Sequence, residues 1–251
     1  MAFTAAGAYG RFMGRYSEPL AGQFVDWADV GAGMQVLDVG AGPGALTARL
    51  VERVGAGNVH AVDPSPPFVA ALRERCPGVD VRQGVAEALP FDDDSVDAAL
   101  AQLVVHFMTD PVAGLRDMAR VTRPGGVVAA SVWDVAGGRA PMSDFLHAVR
   151  GRLDGAPEER GQQGTREGEL VQIARDAGLR DVESGSLTVG VHYDTFEEWW
   201  EPYTLGVGPA GDHVAALDDA GREALRERCR EVLPPVPFDV AATAWCVRGR
   251  A

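Results

Sequence analysis

Short apolar runs that alternate with helix-like stretches set the pattern of this chain. The clearest run covers residues 36–39, Val-Leu-Asp-Val, and precedes three glycines at alternate positions and a helical stretch from Ala45 to Val54. A buried run, a glycine break and a helical period predict a strand, a tight turn and a helix. Glycine permits positive φ and leaves no Cβ between the backbone and a ligand. The helix N-terminus that follows offers free N–H groups to a polar or anionic ligand.

The same alternation continues along most of the chain, with Pro or Gly at many of the boundaries. We predict that Pro19 opens a helix that runs to about Val30, because proline suits a first helical turn. Strand–helix repeats of this kind predict an α/β fold with a mostly parallel sheet. Further strands are predicted at 58–63, 79–84, 96–101, 127–133, 182–193 and 238–248, and helices at 66–75, 168–177, 195–205, 218–232 and from 111 to the turn at 123–126.

An acid ends the second predicted strand. Residues 58–63 read Asn-Val-His-Ala-Val-Asp, so Asp63 comes directly after an apolar run. A carboxylate there can accept hydrogen bonds from both hydroxyls of a ribose. The glycine turn and Asp63 together predict a ligand that contains a nucleoside.

Composition narrows the classes of partner. The chain has 251 residues, is 46% hydrophobic and carries a formal net charge of −13, and all 23 basic residues are arginine. The length and apolar content suit one large α/β domain. The acidic balance disfavours a nucleic-acid partner, because neutralising phosphates requires a basic footprint. The absence of lysine, with abundant Ala, Gly and Val, is typical of coding in a GC-rich genome.

Neither a metal site nor a membrane segment is expected. Cys76, Cys229 and Cys246 are odd in number and far apart, which argues against a disulfide framework and a zinc site. The acidic run 92–94 is interpreted as a solvated turn. The first 15 residues contain no apolar signal region, and no apolar run approaches the ~20 residues that cross a bilayer. We expect a cytoplasmic protein, and the sequence carries no signal of its oligomeric state.

The central motif resembles one known family. Residues 36–44, Val-Leu-Asp-Val-Gly-Ala-Gly-Pro-Gly, and Asp63 fall in register with motif I of class I S-adenosylmethionine (SAM)-dependent methyltransferases. Residues 84–91 and the Arg-Pro-Gly-Gly turn at 123–126 are similar to the family as well. The resemblance implies a single domain over 1–251 with a Rossmann-like, seven-stranded, mostly parallel sheet, helices on both faces and strand seven antiparallel. It also implies SAM as cofactor, S-adenosylhomocysteine (SAH) as product and a small-molecule acceptor.

The resemblance assigns cofactor contacts along the carboxyl edge of the predicted sheet. Val85 departs from the family, in which an acid at this position often accepts a hydrogen bond from the adenine amino group. The N–H of Ala86 can still bond a ring nitrogen, and Glu87 is a substitute acid. The expected cofactor-binding residues are Gly40, Ala41, Gly42, Gly44, Asp63, Pro64, Ser65, Ala86, Glu87, Gln102, Leu103, Tyr9 and Arg15.

Two regions outside this core are candidates for acceptor binding. Residues 1–30 are predicted to form an N-terminal helical lid over the methionine end of SAM, with a helix packed on the surface as the alternative. Residues 134–168 are predicted to form an acceptor-binding insertion. Packing of helix on sheet is the alternative for the paired tryptophans at 199–200. The expected substrate-binding residues are Phe12, Trp133, Trp199 and Trp200.

His106 is the candidate catalytic residue. It follows the fourth predicted strand, and an imidazole with a pKa of about 6.5 can take a proton from a hydroxyl or amine near neutral pH. The alternative is a histidine that packs this loop. Methyl transfer in line at the sulfonium carbon depends mainly on proximity and alignment. Whether O, N or C is methylated stays open.

The expected function is methyl transfer from SAM to a small molecule in bacterial secondary or intermediary metabolism. The loop after strand four lacks (Asp/Asn)-Pro-Pro-(Tyr/Phe) and a Pro-Cys pair, which argues against several nucleic-acid methyltransferase classes. A cyclase or isomerase that retains a SAM site stays open, as does a binding protein that only holds SAM. An NAD(P)-dependent oxidoreductase is disfavoured, because Ala45 follows the glycines and the spacing is not G-x-G-x-x-G.

Overall fold

The computed structural model describes residues 13–150, 163–206 and 208–251, the side chains of Arg150, Gly208 and Pro209 aside. Its strands are β1 Val36–Val39, β2 Val59–Asp63, β3 Asp80–Gln83, β4 Val96–Gln102, β5 Thr122–Trp133, β6 Arg180–Tyr193 and β7 Phe238–Arg250. The described residues form one seven-stranded sheet in the order β3-β2-β1-β4-β5-β7-β6. β1 to β5 pair in parallel, and β7 runs antiparallel between β5 and β6. The predicted fold is confirmed, including the position of the antiparallel strand.

Helices cover both faces of this sheet. Their bounds are α1 Gly14–Trp27, α2 Ala45–Val54, α3 Pro66–Arg75, α4 Pro111–Val121, α5 Ser143–Arg150, α6 Glu169–Asp176, α7 Phe196–Trp200, α8 Gly208–Ala216 and α9 Asp219–Val232. No helix in the described ranges combines the length and apolar character needed to span a membrane.

Alternate residues of the central strands pack into two separate hydrophobic cores, one on each face of the sheet. Val36 of β1 packs with Phe24 of α1 and Leu50 of α2 on one face. Its neighbour Leu37 packs with Leu115 of α4 on the other face. Successive side chains of a strand point to opposite faces, so a strand covered on both sides is apolar throughout. This explains why β1 is a continuous buried run.

The predicted start of the first helix is wrong. α1 begins at Gly14 and contains Pro19 in its interior instead of at its start. Pro19 lies on the exposed side, while Tyr16 and Leu20 are fully buried. Packing of that apolar face offsets the backbone hydrogen bond that an interior proline removes. The preference of proline for a first helical turn is therefore overridden here by tertiary contacts.

The predicted turn at 123–126 lies inside a strand. β5 begins at Thr122, which pairs with Val96, and the ladder then resumes between Ala98 and Val127. The residues between form a bulge, in which an ion pair links Arg123 Nη1 to Asp97 Oδ1 at 2.7 Å. A bulge of this kind bends a strand without ending it.

The predicted aromatic helix at 195–205 is divided. α7 ends at Trp200, and Glu201–Leu205 continues as a 3₁₀ turn. Pro202 has no N–H and its ring disfavours a further α-helical turn. At the start of α7, the Thr195 hydroxyl accepts a hydrogen bond from the Glu198 N–H at 3.2 Å.

Candidate functional site

The turn after β1 is shaped by glycine. Gly40, Gly42 and Gly44 have φ of +70°, +53° and +92°, a region that side chains rarely adopt. A Cβ on Gly40 would lie 2.5 Å from Cγ2 of Val104, so the turn packs directly against the loop after β4. A Cβ on Gly42 would meet no atom of the described residues within 4 Å. The open side of Gly42 therefore leaves room for a ligand against the backbone.

Asp63 lies at the end of β2 beside this turn. Its Oδ2 accepts a hydrogen bond from the N–H of Gly42, and its Oδ1 accepts one from the N–H of Ser65, both at 2.8 Å. The residue is 5% exposed, and burial raises the pKa of its carboxyl while the two N–H groups lower it. Each oxygen keeps a lone pair for a further donor. The carboxylate and the open side of Gly42 thus fit a nucleoside, whose ribose carries two neighbouring hydroxyls.

A second acid is buried beneath the turn. Asp38 in β1 is 1% exposed, and its Oδ2 accepts a 2.5 Å hydrogen bond from the hydroxyl of Thr47. Burial raises the pKa of Asp38 to about 7. Thr47 belongs to the first turn of α2, so the bond ties this helix to β1. Thr47 was not predicted as a site residue from the sequence. It could have been recognised as a hydroxyl residue on the apolar face of the helix, three positions before Leu50.

Ser65 contributes its backbone N–H to Asp63, whereas the side chain of Glu87 bonds to backbone groups of another loop. Ser65 occupies the N-cap position of α3, but its hydroxyl makes no capping bond. Oε1 of Glu87 accepts hydrogen bonds from the N–H groups of Thr109 at 2.8 Å and Asp110 at 3.2 Å. Glu87 therefore joins the loop after β3 to the loop after β4.

Pro64 directly follows Asp63, and Ala86 lies in the loop after β3. The carbonyl of Pro64 accepts a 3.2 Å hydrogen bond from Nε2 of Gln83 at the end of β3. Ala86 is buried in the core beneath α4. The predicted cofactor contacts of both residues stay predictions.

The carboxyl end of β4 is tied to the N-terminal helix. Nε2 of Gln102 donates a 3.0 Å hydrogen bond to the carbonyl of Ser17, and Oε1 of Gln102 is buried without a partner in the described part of the chain. Leu103 has φ +61°, which is uncommon for a residue with a side chain. Its N–H donates to the carbonyl of Ser131 at 2.8 Å. Strain and an unpaired polar atom are typical of functional sites.

His106 lies in a 3₁₀ turn, Val105–Phe107, on the loop after β4. Its ring centroid is 4.0 Å from that of Phe107, and its Nδ1 is buried without a hydrogen-bond partner among residues 13–150, 163–206 and 208–251. Burial lowers the pKa of His106 to about 4. The imidazole is therefore neutral at physiological pH.

The residues expected in the lid are only partly within the described chain. Tyr9 and Phe12 lie outside it. Arg15 donates a 2.8 Å hydrogen bond from Nη2 to the carbonyl of His192, and its guanidinium lies 4.3 Å from the centroid of the Tyr193 ring. Arg15 thus links α1 to β6, and its predicted contact with the cofactor stays a prediction.

The three tryptophans expected at the acceptor site share one apolar cluster with Leu103. Trp133 is 4% exposed and packs edge-on against Tyr16, with ring centroids 6.4 Å apart. Trp199 and Trp200 are also buried, and Nε1 of Trp133 and of Trp199 has no partner in the described ranges. The cluster therefore combines apolar surface with unpaired indole N–H donors next to the loop after β4.

A separate groove of about 340 Å³ lies between α1 and α2. Within it, Arg53 pairs with Asp26 and Arg49 with Glu52, while Glu18 pairs with Arg75 outside the groove. Asp63 is not among the residues that line it.

Comparisons with known proteins agree with this geometry. Residues 37–130 match the family described as "Methyltransferase domain". The "Uncharacterized methyltransferase Rv3342" of Mycobacterium tuberculosis is 42% identical over 154 residues, which cover 61% of this chain and 60% of that protein. The rice "2-methyl-6-phytyl-1,4-hydroquinone methyltransferase 2, chloroplastic" is 34% identical over 117 residues, 45% of this chain and 34% of that protein. The chain thus spans about 60% of the length of the mycobacterial relative.

A solved structure extends the similarity beyond the matched core. The YcgJ protein of Bacillus subtilis has a TM-score of 0.58 at 21% sequence identity, covering 92% of this chain and 97% of that one. At this identity the likeness concerns the fold alone. The family match over residues 37–130, together with the glycine turn, the acid at the end of β2 and the sheet order, supports a class I SAM-dependent methyltransferase.

Proposed function

We propose that the protein transfers a methyl group from SAM to a small-molecule acceptor. The observation that carries the proposal is the Asp63 carboxylate, which the N–H groups of Gly42 and Ser65 hold at 2.8 Å each beside the open turn. A carboxylate oriented in this way selects vicinal hydroxyls, and the turn leaves no side chain between backbone and ligand. SAM, when bound, supplies a methyl group already activated by the sulfonium.

The chain's own contribution is mainly to bind and align. Asp63 would hold the ribose, and the turn at 40–44 would lie against the sugar and methionine chain. Gln102 and Leu103 lie at the carboxyl end of β4, and Oε1 of Gln102 has no hydrogen-bond partner within the described part of the chain. Alignment of two reactants removes much of the barrier to a displacement reaction. We propose that His106, which is neutral at pH 7, takes the proton that the acceptor loses; its lowered pKa makes it a weak base.

The acceptor side of the site favours apolar molecules with a hydrogen-bond acceptor. Trp133, Trp199 and Tyr16 form an aromatic cluster behind this side of the site; they are almost fully buried, and the indole N–H groups of the two tryptophans have no partner among the described residues. The rice relative is named for a prenylated hydroquinone, which has this character. We further propose that residues 1–30 and 134–168, which border this cluster in sequence, complete the acceptor pocket within one domain.

Calorimetry tests the cofactor. The protein is titrated with SAM, SAH and NAD under identical conditions. Binding of SAM and SAH with none of NAD is expected, and NAD binding without SAM binding would contradict the proposal. Asp63→Ala distinguishes specific binding at this site from binding elsewhere.

Label transfer tests the reaction. Methyl-labelled SAM is incubated with the protein and a panel of phenols, amines and carboxylic acids that carry apolar substituents, and extracted products are counted. Incorporation into one chemical class, with SAH formed in equal amount, is expected. Tight SAM binding without label transfer to any class, or turnover of an acceptor without SAH formation, would instead indicate a binding protein or a cyclase or isomerase.

A further inference from the structure

Two exposed apolar side chains lie on the loops after β3 and after β4, and the first of these loops borders Asp63. Val85 follows β3 and is 46% exposed, and Phe107 follows β4 and is 71% exposed. The loops that carry them are joined through Glu87, whose Oε1 accepts hydrogen bonds from the N–H groups of Thr109 and Asp110. Val85 lies two residues before one end of this link, and Phe107 lies two residues before the other. Apolar walls with few polar groups are typical of small-molecule sites.

The sheet order determines which end of the cofactor these loops meet, given the proposed function. With the ribose at Asp63 on β2, the two ends of an extended cofactor point toward the two neighbours of β2. The methyl group must face the aromatic cluster beyond β4 and β5, so the purine lies on the β3 side. The N–H of Gly84 donates to the carbonyl of Asp63 at 3.2 Å, which places residues 84–87 beside Asp63 on that side.

One oxygen of Glu87 and one of Asp110 accept hydrogen bonds from backbone N–H groups of these loops. Glu87 accepts from two N–H groups, and Oδ1 of Asp110 accepts from the N–H of Ala113 at 3.0 Å as the cap of α4. The carbonyl of Val85 accepts from the N–H of Ala88 at 3.2 Å. Between Gly84 and Ala86 stands Val85, which is 46% exposed and has no polar side-chain atom. Gln83, which pairs with Asp63 at the end of β3, is exposed as well, and its Nε2 donates to the carbonyl of Pro64 at 3.2 Å.

We propose that this site holds the purine by apolar contact and does not read its 6-amino group, and that Val85 determines this tolerance. SAH and its 6-deamino analogue, in which purine replaces adenine, then bind with similar affinity. The analogue keeps the ring nitrogens, so it changes the exocyclic amino group alone.

Calorimetry on the full chain with these two nucleosides tests the proposal. Wild-type protein is expected to bind both within about threefold, because an unread amino group contributes little net binding free energy. Val85→Leu keeps the position apolar, so this variant is expected to bind the two nucleosides within about threefold of each other, whatever its absolute affinity. Val85→Asp places a charged acceptor at the same exposed position and is expected to prefer SAH by about tenfold, since a hydrogen bond to a charged group is worth that much.

Two results would overturn this proposal and leave the proposed function in place. One is a wild-type preference for SAH of about tenfold or more, which would show that another group reads the amino group. The other is a Val85→Asp variant that folds, binds SAH and gains no preference, which would place Val85 away from the purine. Failure of wild-type protein to bind either nucleoside would instead contradict the proposed function itself.

Discussion

The hydroxyl of Thr47 donates a 2.5 Å hydrogen bond to Oδ2 of Asp38, and both residues are almost fully buried beneath the glycine turn. This hydrogen bond connects the start of α2 to β1, and so it fixes the two elements that flank the glycine turn. Burial raises the pKa of Asp38 from 3.8 to about 7. An acid with a raised pKa favours the protonated folded state, and its ionisation costs folding free energy.

Asp38→Asn should therefore change stability in a pH-dependent way. The stabilisation linked to the Asp38 proton is fully present below the unfolded pKa of 3.8 and is lost as pH rises through about 7. Asparagine cannot ionise and can still accept a hydrogen bond from Thr47. The melting temperature of the variant minus that of wild type should therefore be higher at pH 8.5 than at pH 5. Thermal unfolding at the two pH values measures this. A difference between variant and wild type that does not change with pH would refute the assigned pKa.

Asp63→Ala should weaken SAH binding by about tenfold or more, because the charge-assisted hydrogen bonds to the ribose hydroxyls are lost. Asp80→Ala is the matched control. Asp80 lies on β3 and pairs with Arg82 and His60, away from the turn. Calorimetry should give wild-type affinity for the control variant, and equal losses in both variants would show that the effect is not specific to the end of β2.

Alanine substitutions at two glycines of the turn should distinguish an effect on stability from an effect on ligand binding. A Cβ on Gly44 would lie 2.4 Å from Cδ1 of Leu72, so Gly44→Ala should lower the free energy of unfolding by about 1–3 kcal/mol. A Cβ on Gly42 would meet no atom of the described residues, so Gly42→Ala should lower the free energy of unfolding only by the backbone strain of a φ of +53°, about 1–2 kcal/mol. The added methyl group would occupy the space of the ligand, so this variant should also bind SAH more weakly. Urea unfolding and calorimetry measure the two quantities. Unchanged SAH binding by Gly42→Ala would place the ligand away from the turn.

The contributions of His106 and His192 to the free energy of unfolding should change in opposite directions as pH falls. Burial lowers the pKa of His106 to about 4, so its contribution is present above the unfolded pKa of 6.5 and lost as pH falls toward 4. The carboxylate of Asp239 raises the pKa of the exposed His192, whose contribution is present below 6.5 and lost as pH rises through the folded pKa. Urea unfolding between pH 4 and 8 should show that the free energy of unfolding of His106→Gln decreases less than that of wild type as pH falls. Identical pH profiles for His106→Gln and wild type would contradict the buried, neutral imidazole.

The hydroxyls of Tyr16 and Tyr193 lie 2.8 Å apart and tie α1 to β6. A double-mutant cycle of Tyr16→Phe and Tyr193→Phe should give a coupling free energy of about 1 kcal/mol, as for a buried hydrogen bond. Removing both hydroxyls should cost less than the sum of the single changes, because no unpaired hydroxyl is left. Strictly additive losses in urea unfolding would mean that the two groups do not interact.

The local pattern of the chain was sufficient for the central strands and the turn. β1 and β2 end at the predicted residues, because a short apolar run before glycine or an acid has few other ways to bury itself. The start of α1 was wrong, since a proline rule weighs one residue while the buried face of Tyr16, Leu20 and Phe24 involves the whole helix. The bulge at 123–126 was likewise not predictable, because it depends on pairing with the distant β4.

The sequence by itself determined the α/β order, the glycine turn and Asp63, because each rests on neighbouring residues whose backbone preferences act locally. Only the tertiary structure decided what the other site residues contact. Glu87 binds the N–H groups of the loop after β4, and Arg15 lies against Tyr193. Side-chain partners from distant strands compete with any ligand, and no local spacing encodes that competition.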